Sequence, residues 1–77
     1  MWIMGQNEKS LFNLSRFEGI HIYKNTMNPK PFMIVGVDNA TGAEIELAEY
    51  QDEDRAKEVL IDLLANIDRT RYVLPLV

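Results

Sequence analysis

His21 is the one side chain whose ordinary ionisation lies near neutral pH, so it is the first candidate for proton transfer. To work as an acid or base it needs a partner, and Glu18 or Glu44 across a sheet would be the nearest in type. Without one it reads as a half-exposed strand histidine. The carboxylates Glu44, Glu46, Glu49, Asp52, Glu53 and Asp54 are dense. Paired acid and base chemistry needs two carboxyls held in different environments, and a calcium loop needs ordered ligand spacing around a turn glycine. Neither pattern is present, and these residues read as a solvated strand face followed by a helix start. Ser10, Ser15, Thr26, Thr41 and Thr70 lack the glycine-flanked context of a nucleophile elbow. The four glycines are isolated, so no loop cradles phosphate. The sequence therefore predicts no catalytic residue, no cofactor and no metal.

Trp2, Phe12, Phe17, Tyr23, Phe32 and Tyr50 offer aromatic faces on which bases could stack. Such a platform needs a basic surround. The chain carries 8 Lys and Arg against 12 Asp and Glu, a net charge of -4, and its cations are scattered. A core of this size needs most of those rings for packing.

The chain that must position these residues has 77 amino acids, which is room for one domain spanning residues 1–77. A two-domain enzyme, a dinucleotide-binding doubly wound sheet and an eightfold barrel all need more chain. Hydrophobic residues make up 47%, which argues against disorder. Cysteine is absent, so neither a disulfide nor a thiolate site is available. A small domain without such staples often gains stability by associating with a second copy. Met1-Trp2-Ile3-Met4 does not read as the charged start of a secretory signal, and no apolar run reaches membrane-spanning length. The expectation is a cytoplasmic protein that does not bind membranes.

Trp2 to Met4 and Ser10 to Leu14 read as two strands of a hairpin. From Phe17 to Lys24, Ile20 and Ile22 alternate with His21 and Tyr23, the period of a half-buried strand. Pro29 and Pro31 make the next segment a loop. Phe32 to Val37 is apolar on both faces and belongs at the centre of a sheet. Gly36 within it marks a bend or a close backbone approach. Asp38 to Gly42 is a hairpin loop, and Ala43 to Tyr50 alternates again. A helix follows, with Asp52 as N-cap and Glu53 and Asp54 in the first turn. Ala56, Val59, Leu60, Leu63, Leu64 and Ile67 form one apolar stripe, Glu53 and Lys57 pair on the opposite face, and Arg69 and Arg71 lie at the end that favours cations. The assembled expectation is an α+β fold: an antiparallel sheet of about five strands packed by one C-terminal helix. A curved version would resemble a reduced pleckstrin-homology-like half-barrel; a flat two-layer sandwich fits equally.

Met1-Trp2-Ile3 with Gln6, the Glu49-Tyr50 strand end, and the segment from Asp52 to Leu60 resemble a group of small uncharacterised proteins of Gram-positive bacteria and their phages. The shared features are a Trp-Ile start and an Arg-Ala-Lys-x-Val-Leu helix, and the likeness covers residues 1–67. It implies a strand-rich fold with a terminal helix and no particular activity. The tail from Tyr72 departs from the pattern.

That tail, residues 70–77, is the oddest feature. Val73, Leu74, Leu76 and Val77 are apolar where chain ends are normally polar, and Pro75 restricts the segment to an edge strand or an extended strap. It either packs on its own domain beside Trp2 and Met4 or crosses to another subunit. The leading expectation is a non-enzymatic protein–protein interaction module acting on a protein partner or a second copy of itself, through Trp2, Tyr72, Leu74 and Leu76. The alternative is a nucleic-acid-associated phage or mobile-element factor using Lys24, Lys30, Arg69 and Arg71. A weaker third is a minor enzyme subunit or a ligand pocket built around His21.

Overall fold

A computed structural model describes residues 1–77. Six strands and one helix run in the order β1 (Trp2–Met4), β2 (Leu11–Asn13), β3 (Phe17–Lys24), β4 (Phe32–Asp38), β5 (Glu44–Tyr50), α1 (Glu53–Ala65) and β6 (Arg71–Val73), with a 3-10 turn at Leu14–Arg16. The class is α+β. The strands form two three-stranded sheets, however, and not one sheet of five. The helix is not the last element either: β6 follows it and returns to the start of the chain.

The meander β3-β4-β5 is antiparallel throughout, with β4 at its centre as its two-faced apolar sequence predicts. Rows of opposed residues such as Ile22–Ile34–Ala48 share one face. The helix buries Ala56, Val59 and Leu63 against it. A bulge inserts Leu47 between the pairs Ile34–Ala48 and Val35–Glu46, and Leu47 is buried with the core. Gly36 is a close approach. A Cβ there would lie 2.7 Å from Cδ1 of Phe17, whose ring rests on the bare backbone. Gly42 supplies the positive φ of 74° that the β4–β5 loop needs.

The second sheet is ordered β2-β1-β6. Strands β1 and β2 form the expected hairpin. Strand β6 pairs with β1 in parallel, with Trp2 N–H donating to Thr70 O at 2.9 Å and Leu74 N–H donating to Met4 O at 3.1 Å. Ile3, Tyr72 and Leu74 thereby join the core beside Ile34 and Val59. The tail packs on its own domain.

Three details of the helix differ from expectation. Asp52 occupies the N-cap position in extended conformation, but its side chain makes no capping bond. The helix ends at Ala65, and its last turn has no basic residue; Arg69 and Arg71 lie beyond it. The apolar stripe is split. Ala56, Val59 and Leu63 face the sheet, while Leu64 and Ile67 are exposed. Glu53 and Lys57 do pair, at 3.3 Å.

The two sheets are tied by Gln6. Its amide nitrogen donates to the carbonyls of Glu49 at 2.9 Å, Pro75 at 3.1 Å and Leu76 at 2.8 Å. Its Oε1 accepts from Glu49 N–H at 3.0 Å. One side chain thus serves the backbone of β5 as a neighbouring strand would. Nearby, Tyr50 O–H donates to Pro75 O at 2.7 Å. Gln6→Ala is expected to lower unfolding free energy by about 2–4 kcal/mol, because several partly buried backbone groups lose their partner at once. Urea denaturation measures this; a loss under 0.5 kcal/mol would show the clasp to be dispensable.

Candidate interaction surface

The pleat of the β2-β1-β6 sheet divides its residues by face. Ile3 and Tyr72 point into the core, with Phe12 packed beside them. The register then places Leu11, Met4 and Val73 in one outer row and Asn13, Trp2 and Arg71 in the next. Trp2 is 52% exposed, Leu11 61% and Val73 58%, so this face has no covering layer. No carboxylate belongs to either row. Arg16 reaches its margin, lining a hollow with Trp2, Leu11 and Asn13. In a chain with 12 acidic residues, an acid-free apolar face edged by arginines is a distinct chemical surface.

The four residues singled out from the sequence therefore separate. Trp2 and Leu76 are exposed. Tyr72 and Leu74 are 8% and 2% exposed and serve the core, so neither is available for contact while β6 stays paired. Leu11 and Val73 take their place on the surface. They are legible only once Ile3 fixes which half of each strand points inward.

A second apolar surface lies between the meander and the helix. A groove of about 460 Å³ runs between the free edge of β3 and the helix, lined by Phe17, Ile20, Leu60, Ile61 and Leu64. A more polar cleft of about 420 Å³ separates β5 from the β1–β2 turn, with Gln6, Lys30, Glu46 and Glu49 around it.

The chemical candidates are dispersed. His21 is exposed on β3, and the residue in line with it across Val35 is Glu46, not Glu44. Lys24 sits 5.6 Å over the Phe32 ring on the meander, whereas Arg71 flanks Trp2 on the other sheet. Lys30 lies beside Glu49, whose carboxylate accepts from Asn28 at 2.8 Å. No buried side-chain nitrogen or oxygen lacks a hydrogen-bond partner. No helix is long and apolar enough to cross a membrane. Comparison with protein-family models, curated proteins and solved structures finds no match.

The perturbed ionisations belong to structural groups. Asp38 is buried at the base of the β4–β5 loop. It accepts from Ala40 N–H at 2.8 Å, Thr41 N–H at 3.2 Å and Arg16 Nη2 at 2.9 Å. The Ala40 bond above all holds its carboxyl below the ordinary 3.8, with Thr41 and Arg16 adding to the effect and burial opposing it. Burial pushes the Tyr50 phenol up from 10.0 to about 12, with the Arg55 guanidinium opposing. Tyr72 is pushed up too, by burial first and then by the Asp62 carboxylate, to which its O–H donates at 2.6 Å.

These directions fix how stability varies with pH. The Asp38 contribution is present above its unfolded value and is lost as pH falls below 3.8 through the folded value. The tyrosine contributions are present below 10.0, and that of Tyr50 is lost as pH rises toward 12. Stability by urea denaturation should fall beyond both limits. Asp38→Asn should remove its share of the acid decline, and Tyr50→Phe with Tyr72→Phe should flatten the alkaline one. An alkaline decline unchanged in the double phenylalanine variant would contradict the assignment.

Proposed function

We propose that this protein is a non-enzymatic interaction module whose outer β2-β1-β6 face docks a protein partner. The observation that carries the reading is exposed Leu11 and Val73 on either side of half-buried Met4, beside exposed Trp2 and uncovered by any other element. Apolar surface of this kind marks interaction sites, and a tryptophan within it is the usual anchor. Arg71 beside Trp2 favours a partner whose own apolar patch carries a carboxylate. Leu76 is exposed as well, at the end of the strap held by Gln6. Lys24 lies on the meander and Arg71 on the other sheet, which supports a protein partner over a nucleic acid that would want its cations on one track.

The test is a photo-crosslinking residue placed at Leu11 in the native cell, with Glu46 as control position. A specific adduct from position 11 alone is expected. Trp2→Ser with Val73→Ser should weaken binding of the identified partner by roughly 30-fold, the effect of losing a buried tryptophan anchor. Melting of that variant should stay close to that of the parent. Equal labelling from both positions would overturn the reading. So would salt-sensitive binding of DNA or RNA that depends on Trp2 and Arg71.

A further inference from the structure

Strand β3 is an edge of its sheet, and the hydrogen-bond phase of that sheet fixes which of its backbone groups are unused. Gln6 takes both the N–H and the C=O of Glu49, so those groups point away from β4. Met33, opposite Glu49, therefore turns its own N–H and C=O to β3, where it meets Tyr23. Alternation along β4 gives Val35 to His21 in the same way. Asn25 N–H, donating to Pro31 O at 2.7 Å, carries this phase past the strand end. Ile20 and Ile22 are thus left with N–H and C=O facing outward, and β4 is the only strand beside them. A run of such groups is a template for a further strand.

The same edge borders the apolar groove. Ile20 and Ile22 pack on the core from the helix side of the meander. Ile20 lines the groove of about 460 Å³, and Leu60, Ile61 and Leu64 form its helix wall. Ile61 and Leu64 are 66% and 69% exposed. A residue paired opposite Ile20 shares its face, so its side chain points into this groove. Gly19, the neighbour of Ile20, has nothing within 4 Å of where a Cβ would stand, which leaves the approach open.

Three observations narrow the occupant. The outward N–H and C=O groups call for an extended backbone, since a helix satisfies its own. The groove calls for an apolar side chain that its owner does not already bury. A second copy of β3 fails here, because its Ile20 and Ile22 are packed on its own core. Glu18 is the one charged residue lining the groove, and it has no ion pair, so a cation is the complementary charge. We infer that the β3 edge binds an extended peptide segment of another protein, with an apolar side chain between Ile20 and Leu64 and a Lys or Arg within reach of Glu18. Backbone bonds to Ile20 and Ile22 hold the segment, and the groove selects its side chain. This site is separate from the Trp2 face on the other sheet, so either can fail alone.

Amide hydrogen exchange of the full chain, read by NMR, checks the phase of the edge. The amides of His21 and Tyr23 should be protected, and those of Ile20 and Ile22 should exchange roughly tenfold faster or more. The reverse pattern, or equal protection of all four, overturns the inference. So does protection of Ile20 and Ile22 that grows with protein concentration, since a second copy would then hold the edge.

The probe for binding is a displayed library of random short peptides, selected on the full chain. Enriched peptides should carry an apolar residue with a Lys or Arg within two positions of it. A synthetic copy of the most enriched peptide should slow exchange at Ile20 and Ile22. Leu64→Lys should weaken that peptide roughly tenfold or more, and Glu18→Lys should abolish the preference for a basic residue. Both positions are exposed, so both variants should melt close to the parent. Trp2→Ser should leave the affinity unchanged. A library that yields no binder overturns the inference. So does a peptide whose binding depends on Trp2 and leaves Ile20 and Ile22 in fast exchange.

Discussion

The side-chain amide of Gln6 clasps the edge of β5 to the C-terminal strap, beside the apolar core that the two sheets share. Gln6 has two N–H donors and one carbonyl oxygen, and it engages three carbonyls and one backbone N–H. Three acceptors around two hydrogens mean that one hydrogen is shared. The groups it serves are backbone groups at the edge of β5 and in the C-terminal strap. Such groups are costly to leave without partners once water is excluded. Ile3, Tyr72 and Leu74 supply apolar contact between the sheets, and Gln6 fixes their relative position. No disulfide is available to do this, so orientation rests on hydrogen bonds with short reach and strict direction.

Local signals made the meander and the helix legible. The alternation around Ile20 and Ile22, the double proline before Phe32, the turn at Gly42 and the acidic start at Glu53 each act within a few residues. Their boundaries fall close to the observed ones. The second sheet was half hidden. Strand β6 has three residues, too few to show a period, and its partner lies at the opposite end of the sequence. Whether Tyr72 and Leu74 pack on their own domain or cross to another subunit is not legible in the sequence, because nothing nearby in sequence covers them. Their cover is Ile3 and the helix, which only the three-dimensional arrangement brings close. The helix was misread for a related reason. Leu64 continues the apolar spacing of Val59 and Leu63, but it points a quarter turn away from the sheet.

The surface shows the same contrast. Trp2 could be singled out by type alone. Leu11 and Val73 needed the phase of each strand, which Ile3 sets by being buried. Asp38 gave no signal beyond its place in a turn-forming run. Its value lies in gathering Ala40, Thr41 and Arg16 onto one carboxylate. Asn39 extends that knot, donating from its backbone to Arg16 O at 2.7 Å and from its side chain to Ser15 O at 3.0 Å. Sequence pattern reports which side of an element is dry. It does not report which distant polar groups will meet.

The parallel pairing of β1 with β6 orders events in time as well as in space. On the ribosome, residues 2–4 are made before residues 71–73. The meander and helix are assembled from neighbours and can form as they emerge, whereas closing the other sheet requires contacts of the greatest sequence separation in the fold. Until then the edge of β1 that takes β6 is unpaired, and Ile3 lacks Tyr72 beside it. Until residues 71–73 have been made and have left the ribosome that edge stays open, and a chaperone or another strand can occupy it.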